Sequence, residues 1–94
     1  MAQVIFEWDP GKARRNRRKH RITFEEAITV FDDPISAMYR DPDHSEYEER
    51  FFTVGLSSAD RVLIVAHIEE DERIRIISAR KATPNERKIY EETN

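Results

Sequence analysis

The sequence predicts an α+β fold: a short strand, two helices, four strands and a closing helix, with a mostly antiparallel sheet. Helix-opening signals stand at Asp9, Thr23 and Thr83. Between Arg50 and Ser78, three apolar or β-branched runs are separated only by short polar links, around Ser57-Ser58-Ala59-Asp60 and Glu69-Glu70-Asp71-Glu72. Links that short favour antiparallel hairpins over crossovers. The run Val62-Leu63-Ile64-Val65-Ala66 is apolar at every position, which places it at the centre of the sheet, covered on both faces.

Val4-Ile5-Phe6-Glu7-Trp8 combines β-branched and aromatic residues and reads as the first strand. Asp9-Pro10 supplies an N-cap and a proline at the first helical position, and the first helix runs to about His20. Thr23 and Glu26 have capping-box spacing at the head of a second helix. Its Phe24, Ala27, Ile28 and Phe31 recur at i, i+3, i+4 and i+7 as a core-facing stripe. Asp32-Asp33-Pro34 ends it, because proline turns the preceding residue away from the helical region. Ile35 to Tyr39 reads as a second strand, and Asp41 to Glu49 as an acidic loop with room for a helical turn. Strands follow at Arg50–Leu56, Arg61–Ile68 and Arg73–Ser78. Thr83-Pro84-Asn85-Glu86 joins an N-cap, a proline and a capping-box glutamate at the start of a last helix, to about Glu92. The N-terminal helices are expected to cover one face of the sheet.

A chain of 94 residues accommodates one core, so a single domain over residues 1–94 is expected. Apolar residues make up 38% and charged residues 37%, so the core is lean and much of the surface is charged. No apolar run nears the roughly 18–20 residues of a membrane span. No charged-then-apolar leader opens the chain. A cytoplasmic protein without membrane attachment is expected. The absence of cysteine excludes disulfides and thiol chemistry. Two glycines cannot build a phosphate-cradling loop. Three scattered histidines have no metal-ligand spacing, and no serine lies in a nucleophile motif. No metal and no cofactor are expected.

The formal net charge of −3 conceals a segregation. Lys12 to Arg21 holds seven Lys and Arg residues and no acid, leaving nine basic residues against 19 acidic ones elsewhere, a balance of −10. Such a patch concentrates field where a polyanion docks. Alternatively, the helix is solvated and pairs with the protein's own acids.

On a helical wheel Lys12, Asn16, Lys19 and His20 share an arc of about 100°, with Ala13 at its edge. The helix has no apolar stripe. It docks through the stems of its long cations, or its polar arc faces a functional cleft. Lys12, Arg15, Asn16 and Lys19 are thus candidates for substrate contact. His20, beside Lys19, is a titrating imidazole or an ordinary helix-end residue. Alternation puts His67 on the face of Leu63 and Val65, as a core histidine held by one hydrogen bond or as a general acid or base at the open end of that face. Arg50, Arg75 and Arg80 lie in or beside neighbouring strands. Metal-free RNA cleavage needs a base for the 2′-hydroxyl, cations for the phosphorane and an acid for the leaving oxygen. The guanidinium fork suits the middle role; the alternative for each arginine is a cross-strand pair with an acid. Glu86 reads as a cap, Ile89 and Tyr90 as packing on the sheet, and His44 as a solvated loop residue.

Phe6-Glu7-Trp8-Asp9, followed by Lys12, Asn16, Lys19-His20 and Phe24-Glu25-Glu26-Ala27, closely resembles the opening of BrnT-family toxins. Phe31-Asp32-Asp33-Pro34 and Glu49-Arg50-Phe51 continue the likeness. Arg75-Ile76-Ile77-Ser78-Ala79-Arg80, with Ala82-Thr83 and Glu86-Arg87, resembles the family's most recognisable stretch. The likeness covers nearly the whole chain. It implies a RelE-like fold and a ribonuclease that arrests translation. It also implies neutralisation by a BrnA-type antitoxin with a ribbon-helix-helix region, through which alone promoter DNA would be reached. Arg21 departs from the pattern, standing where the family usually has a glycine that eases a left-handed helix end.

The expectation is therefore a metal-independent endoribonuclease toxin. Arg50, Arg75 and Arg80 are the candidate phosphate cations, and His67 and His20 the candidate acid–base groups. Lys12, Arg15, Asn16 and Lys19 are the candidate substrate contacts, with RNA and the antitoxin as partners. Two other classes fit the basic helix: a non-catalytic RNA- or ribosome-binding module, and a protein-interaction domain that docks an acidic partner.

Overall fold

The computed structural model describes residues 3–44 and 48–92. In chain order, β1 is Ile5–Glu7, α1 Pro10–His20 and α2 Phe24–Ala27, which tightens into a 3-10 helix over Ile28–Asp32. Strands β2 Ala37–Arg40, β3 Arg50–Leu56, β4 Val62–Glu70 and β5 Arg73–Lys81 follow, then α3 Pro84–Glu92. The five strands form one sheet in the order β1-β5-β4-β3-β2. Only the β1–β5 pair is parallel. The class and the central place of β4 agree with the sequence reading. Residues 45–47 of the acidic loop lie outside the described residues.

The core lies between one sheet face and α1, α2 and the 3-10 helix. Ile22, Phe24, Ala27, Val30, Leu63, Val65, Ile76 and Ala79 form it, with Phe6, Trp8, Ala13 and Phe31 packed at its margin. The second helix departs from its expected stripe. Phe24, Ala27 and Val30 are fully buried, whereas Ile28 and Phe31 are only partly so. A 3-10 segment has three residues per turn, which lines up i, i+3 and i+6. Gly55 of β3 sets how closely this segment seats on the sheet: a Cβ there would come within 3.0 Å of the Val30 carbonyl oxygen.

The caps explain the helix starts. The Asp9 carboxylate accepts the Lys12 N–H at 2.9 Å, with Pro10 in the first turn. Thr23 accepts the Glu26 N–H at 3.1 Å, but the expected reciprocal bond is replaced. The Glu26 carboxylate reaches across to the Ser57 hydroxyl at 2.7 Å and to Arg61 Nε at 3.0 Å, tying α2 to the β3–β4 turn. α1 ends on Arg21 in the left-handed region, φ 61°, its N–H bonded to the Arg17 carbonyl at 2.9 Å. The backbone ends as glycine would end it, but with the strain of a Cβ.

Candidate active site

The strand registers sort side chains to the two faces of the sheet. On the face away from α1 and α2, β4 presents Ile64, Ala66 and Ile68, and β3 presents Arg50, Phe52 and Val54. Arg50 and Arg75 flank Ile68 from its two neighbouring strands. Plain alternation would send Arg75 and Arg80 to opposite faces. A β-bulge prevents this: Ala66 pairs with Ser78 but His67 pairs with Ile76, so Ile77 is the extra residue. Beyond it the strand is turned over, and Arg75, Ser78 and Arg80 share one face. The sequence carried no glycine or proline to announce the bulge.

The Glu48 carboxylate lies 3.4 Å from Arg75 Nη2 and 4.0 Å from Arg50 Nη2, which brings these two guanidinium groups together. Arg80 stands two side-chain rows further, roughly 13 Å along the strand, against α3. Glu86 takes its guanidinium by two bonds, 2.8 and 3.0 Å. Glu86 also accepts the Thr83 N–H at 2.8 Å, while Thr83 Oγ1 accepts the Glu86 N–H at 3.1 Å, completing the expected capping box. The Arg80 fork, then the Thr83 N–H, hold the Glu86 carboxyl down at about 2.

Between α3 and the sheet runs a groove of about 340 Å³, lined by Tyr39, Phe52, Val54, Ile64, Ile89 and Tyr90, with Arg80 and Glu86 on its wall. Tyr90 donates its hydroxyl to Asp33. Burial, then this carboxylate, push Tyr90 up to about 12. Asp33 also accepts the Leu56 N–H at 2.8 Å and the Ile35 N–H at 3.1 Å. The Asp-Pro stretch read only as a helix stop is thus the knot that joins α3, the end of β3 and the approach to β2. Ile89, expected to pack on the sheet, is 53% exposed at the groove rim.

The structure separates the other sequence-derived candidates from these arginines. Asn16 is a correction. It is buried, and its amide donates to the Ala79 carbonyl at 2.8 Å and the Ile22 carbonyl at 3.0 Å while accepting the Ala79 N–H at 3.0 Å. β1 pairs with β5 only over Arg73–Arg75, so Asn16 supplies the edge partner that Ala79 would otherwise lack. It docks the helix and has no donor left for substrate. His67 is a second correction. It lies on the face of Leu63 and Val65, as alternation requires, but wholly buried rather than at an open end. Nε2 is 2.7 Å from Thr53 Oγ1, and the rings of Phe31 and Phe51 flank it. Burial pushes it down to about 4. It is a neutral core histidine on the opposite face from Arg50, Arg75 and Arg80. His20 is half-buried at the end of α1, in the helical layer. His44 is a largely exposed loop residue, as expected, and its Nδ1–H donates to the Asp41 carboxylate at 2.8 Å.

With Asn16 and Ala13 turned inward, the basic residues fall on two exposed flanks of α1. Lys12, Arg15 and Lys19 form one; Arg14, Arg17, Arg18 and Arg21 form the other. The second set, at i, i+3, i+4 and i+7, was legible in the spacing and was missed by the arc drawn through Asn16. Among the described residues none of these seven cations takes part in an ion pair, whereas Arg40, Arg50, Arg61, Arg73, Arg75, Arg80 and Arg87 all do. The reading in which the helix pairs with the protein's own acids fails. Also among the described residues, no three His, Asp or Glu side chains are grouped to hold a metal ion, and no helix is long and apolar enough to cross a membrane.

A family model described as the ribonuclease toxin BrnT of type II toxin–antitoxin systems matches residues 8–86. The chain belongs to the BrnT family. Its fold is similar to that of the Brucella abortus ribonuclease toxin BrnT, known from a crystal structure: TM-score 0.61 at 19% identity, covering 88% of this chain and 99% of that one. A search of curated proteins found no match. The BrnT match spans α1, the whole of β2 to β5 and the first turn of α3, so Arg50, Arg75, Arg80 and Glu86 all fall within it. As the toxin side of a type II pair, a BrnT protein implies a protein antitoxin as partner.

Proposed function

We propose that this chain is a metal-independent endoribonuclease. It cuts RNA by attack of a 2′-hydroxyl on the adjacent phosphate, arrests translation, and is neutralised by a BrnA-type antitoxin that alone connects it to promoter DNA. The observation that carries this reading is the bulge at Ile77, which gathers Arg75 and Arg80 with Arg50 on one open sheet face. Arg50 and Arg75 converge on one anion, at present Glu48. A phosphate between them meets two planar forks, which stabilise the charge that builds on the phosphorane. Arg80 holds a neighbouring phosphate beside the α3 groove. Glu48 is the carboxylate nearest the arginine pair and is assigned the proton of the 2′-hydroxyl; as the new P–O2′ bond forms the P–O5′ bond breaks, and the leaving 5′-oxygen takes its proton from water. His67 is left out because it is sealed in the core, and His20 because it belongs to the other layer. Lys12, Arg15 and Lys19 lie in that same helical layer, so they are assigned contacts to RNA away from the cut site rather than in it.

The test is the chemistry of the product ends. Purified protein incubated with an oligoribonucleotide in EDTA should leave 2′,3′-cyclic phosphate and 5′-hydroxyl ends. A substrate carrying deoxyribose at the cut site should stay intact. Cleavage that requires an added divalent ion, or that leaves 3′-hydroxyl ends, contradicts the proposal.

A further inference from the structure

We infer that Arg14, Arg17, Arg18 and Arg21 form a docking surface for the backbone of duplex RNA, in the helical layer and separate from the arginine face of the sheet. The inference rests on the ribonuclease reading for its choice of RNA, and goes beyond it in assigning a second contact and the form of RNA that it fits. The four side chains occupy successive turns of one flank of α1. They span roughly 10 Å along the axis within an arc of about 100°. With Thr23 they line one open groove. All four are exposed, and none has an acidic partner among the described residues. Like charges at i, i+3 and i+4 repel. In this acidic protein every arginine outside the segment is paired, so the unrelieved repulsion is confined to α1. Arg21 adds to it from a left-handed backbone position, φ 61°, that only glycine takes without strain.

An external polyanion relieves that repulsion. The flank of Arg14, Arg17, Arg18 and Arg21 carries no Phe, Tyr or Trp, and the His20 ring is half-buried off that flank, so the flank lacks the aromatic platform that holds single strands. Guanidinium groups in a row instead suit phosphates and 2′-hydroxyls across the surface of an A-form helix, which is recognised by shape and backbone.

The experiment measures binding of the purified toxin to an RNA duplex of about 16 base pairs by fluorescence anisotropy across a salt series. Each phosphate contact contributes about 0.9 to the slope of log affinity against log salt on a duplex. R14Q/R17Q/R18Q should therefore flatten the slope by about 2–3. R14K/R17K/R18K should keep it, and circular dichroism should report the same helix content for both. Cleavage of a short single-stranded RNA should be unchanged in the Gln variant. An unchanged slope overturns the proposal. So does a Gln variant that binds duplex normally but loses the antitoxin, which would make the stripe a protein interface. If the wild type cuts no RNA yet the Gln variant still loses duplex binding, the docking surface stands and the ribonuclease reading falls.

Discussion

Arg75 and Arg80 are five positions apart on one strand and face the same way, because Ile77 is bulged out of register between them. The bulge has a second effect. Arg80 is carried to the face where α3 lies, within reach of Glu86, which is also the capping residue of that helix. The α3 start and the position of Arg80 are therefore one structural decision. The same turn of the strand leaves Ala79 facing the core, where Asn16 takes hold of it.

Asn16 should behave as a structural residue. N16A strands the N–H and carbonyl of Ala79 and the carbonyl of Ile22 in the interior, at a cost of roughly 2–4 kcal/mol. N16D should cost more, since a carboxylate would face two carbonyl oxygens. Urea unfolding midpoints measure both. An N16A protein of wild-type stability with weakened RNA binding would restore the substrate role read from the sequence.

Arg21→Gly should stabilise the protein. The left-handed φ of 61° is free for glycine and strained for arginine. Part of the gain is offset by the greater freedom of glycine in the unfolded chain, so roughly 0.5–1 kcal/mol remains, a few degrees in Tm. A lower Tm on thermal unfolding would mean that the Arg21 side chain makes contacts outweighing its backbone strain.

The fold was largely legible because capping residues and turn lengths act locally. Asp9-Pro10, Thr23 and Thr83-Pro84 marked the helix starts, and the two-sided run at Val62–Ala66 marked the central strand. The site was less so. Arg50, Arg75 and Arg80 were identified as residue types, but their common face depends on a bulge that alternation cannot anticipate. Asn16 was misread because a polar residue on a polar helix gives no sign that a strand edge awaits it 63 positions later. Tyr90 and Asp33, 57 positions apart, meet only through the tertiary fold.

His67 should report on stability rather than on catalysis. Its folded pKa, about 4, lies below the ordinary value of 6.5. Above pH 6.5 it is neutral in both states. Between 6.5 and 4 the unfolded chain takes up a proton that the folded one refuses, so its contribution to stability is lost as pH falls. The loss is on the order of 2–3 kcal/mol. T53V/H67F removes both partners of the buried hydrogen bond, and also the Nδ1 atom, which has no hydrogen-bond partner among the described residues, the Glu69 carboxylate standing off at 3.8 Å. The variant should be near neutral or stabilising at pH 7. Its stability relative to wild type should grow as pH is lowered from 6.5 to 4, while RNA cleavage persists. Loss of cleavage in a folded T53V/H67F protein would return His67 to the site.

The claim that the arginine face is the cleavage site is tested most directly by the metal-free cleavage rate of Arg75→Ala. The Arg75 side chain is 48% exposed and its ion-pair partner Glu48 is itself partly exposed, so the substitution leaves the core untouched. Removing one preorganised cation from a developing phosphorane should lower kcat/KM on the order of 100-fold or more, with the Tm close to wild type. A folded Arg75→Ala protein that cleaves RNA in EDTA at the wild-type rate would contradict the assignment and move the chemistry off this face of the sheet.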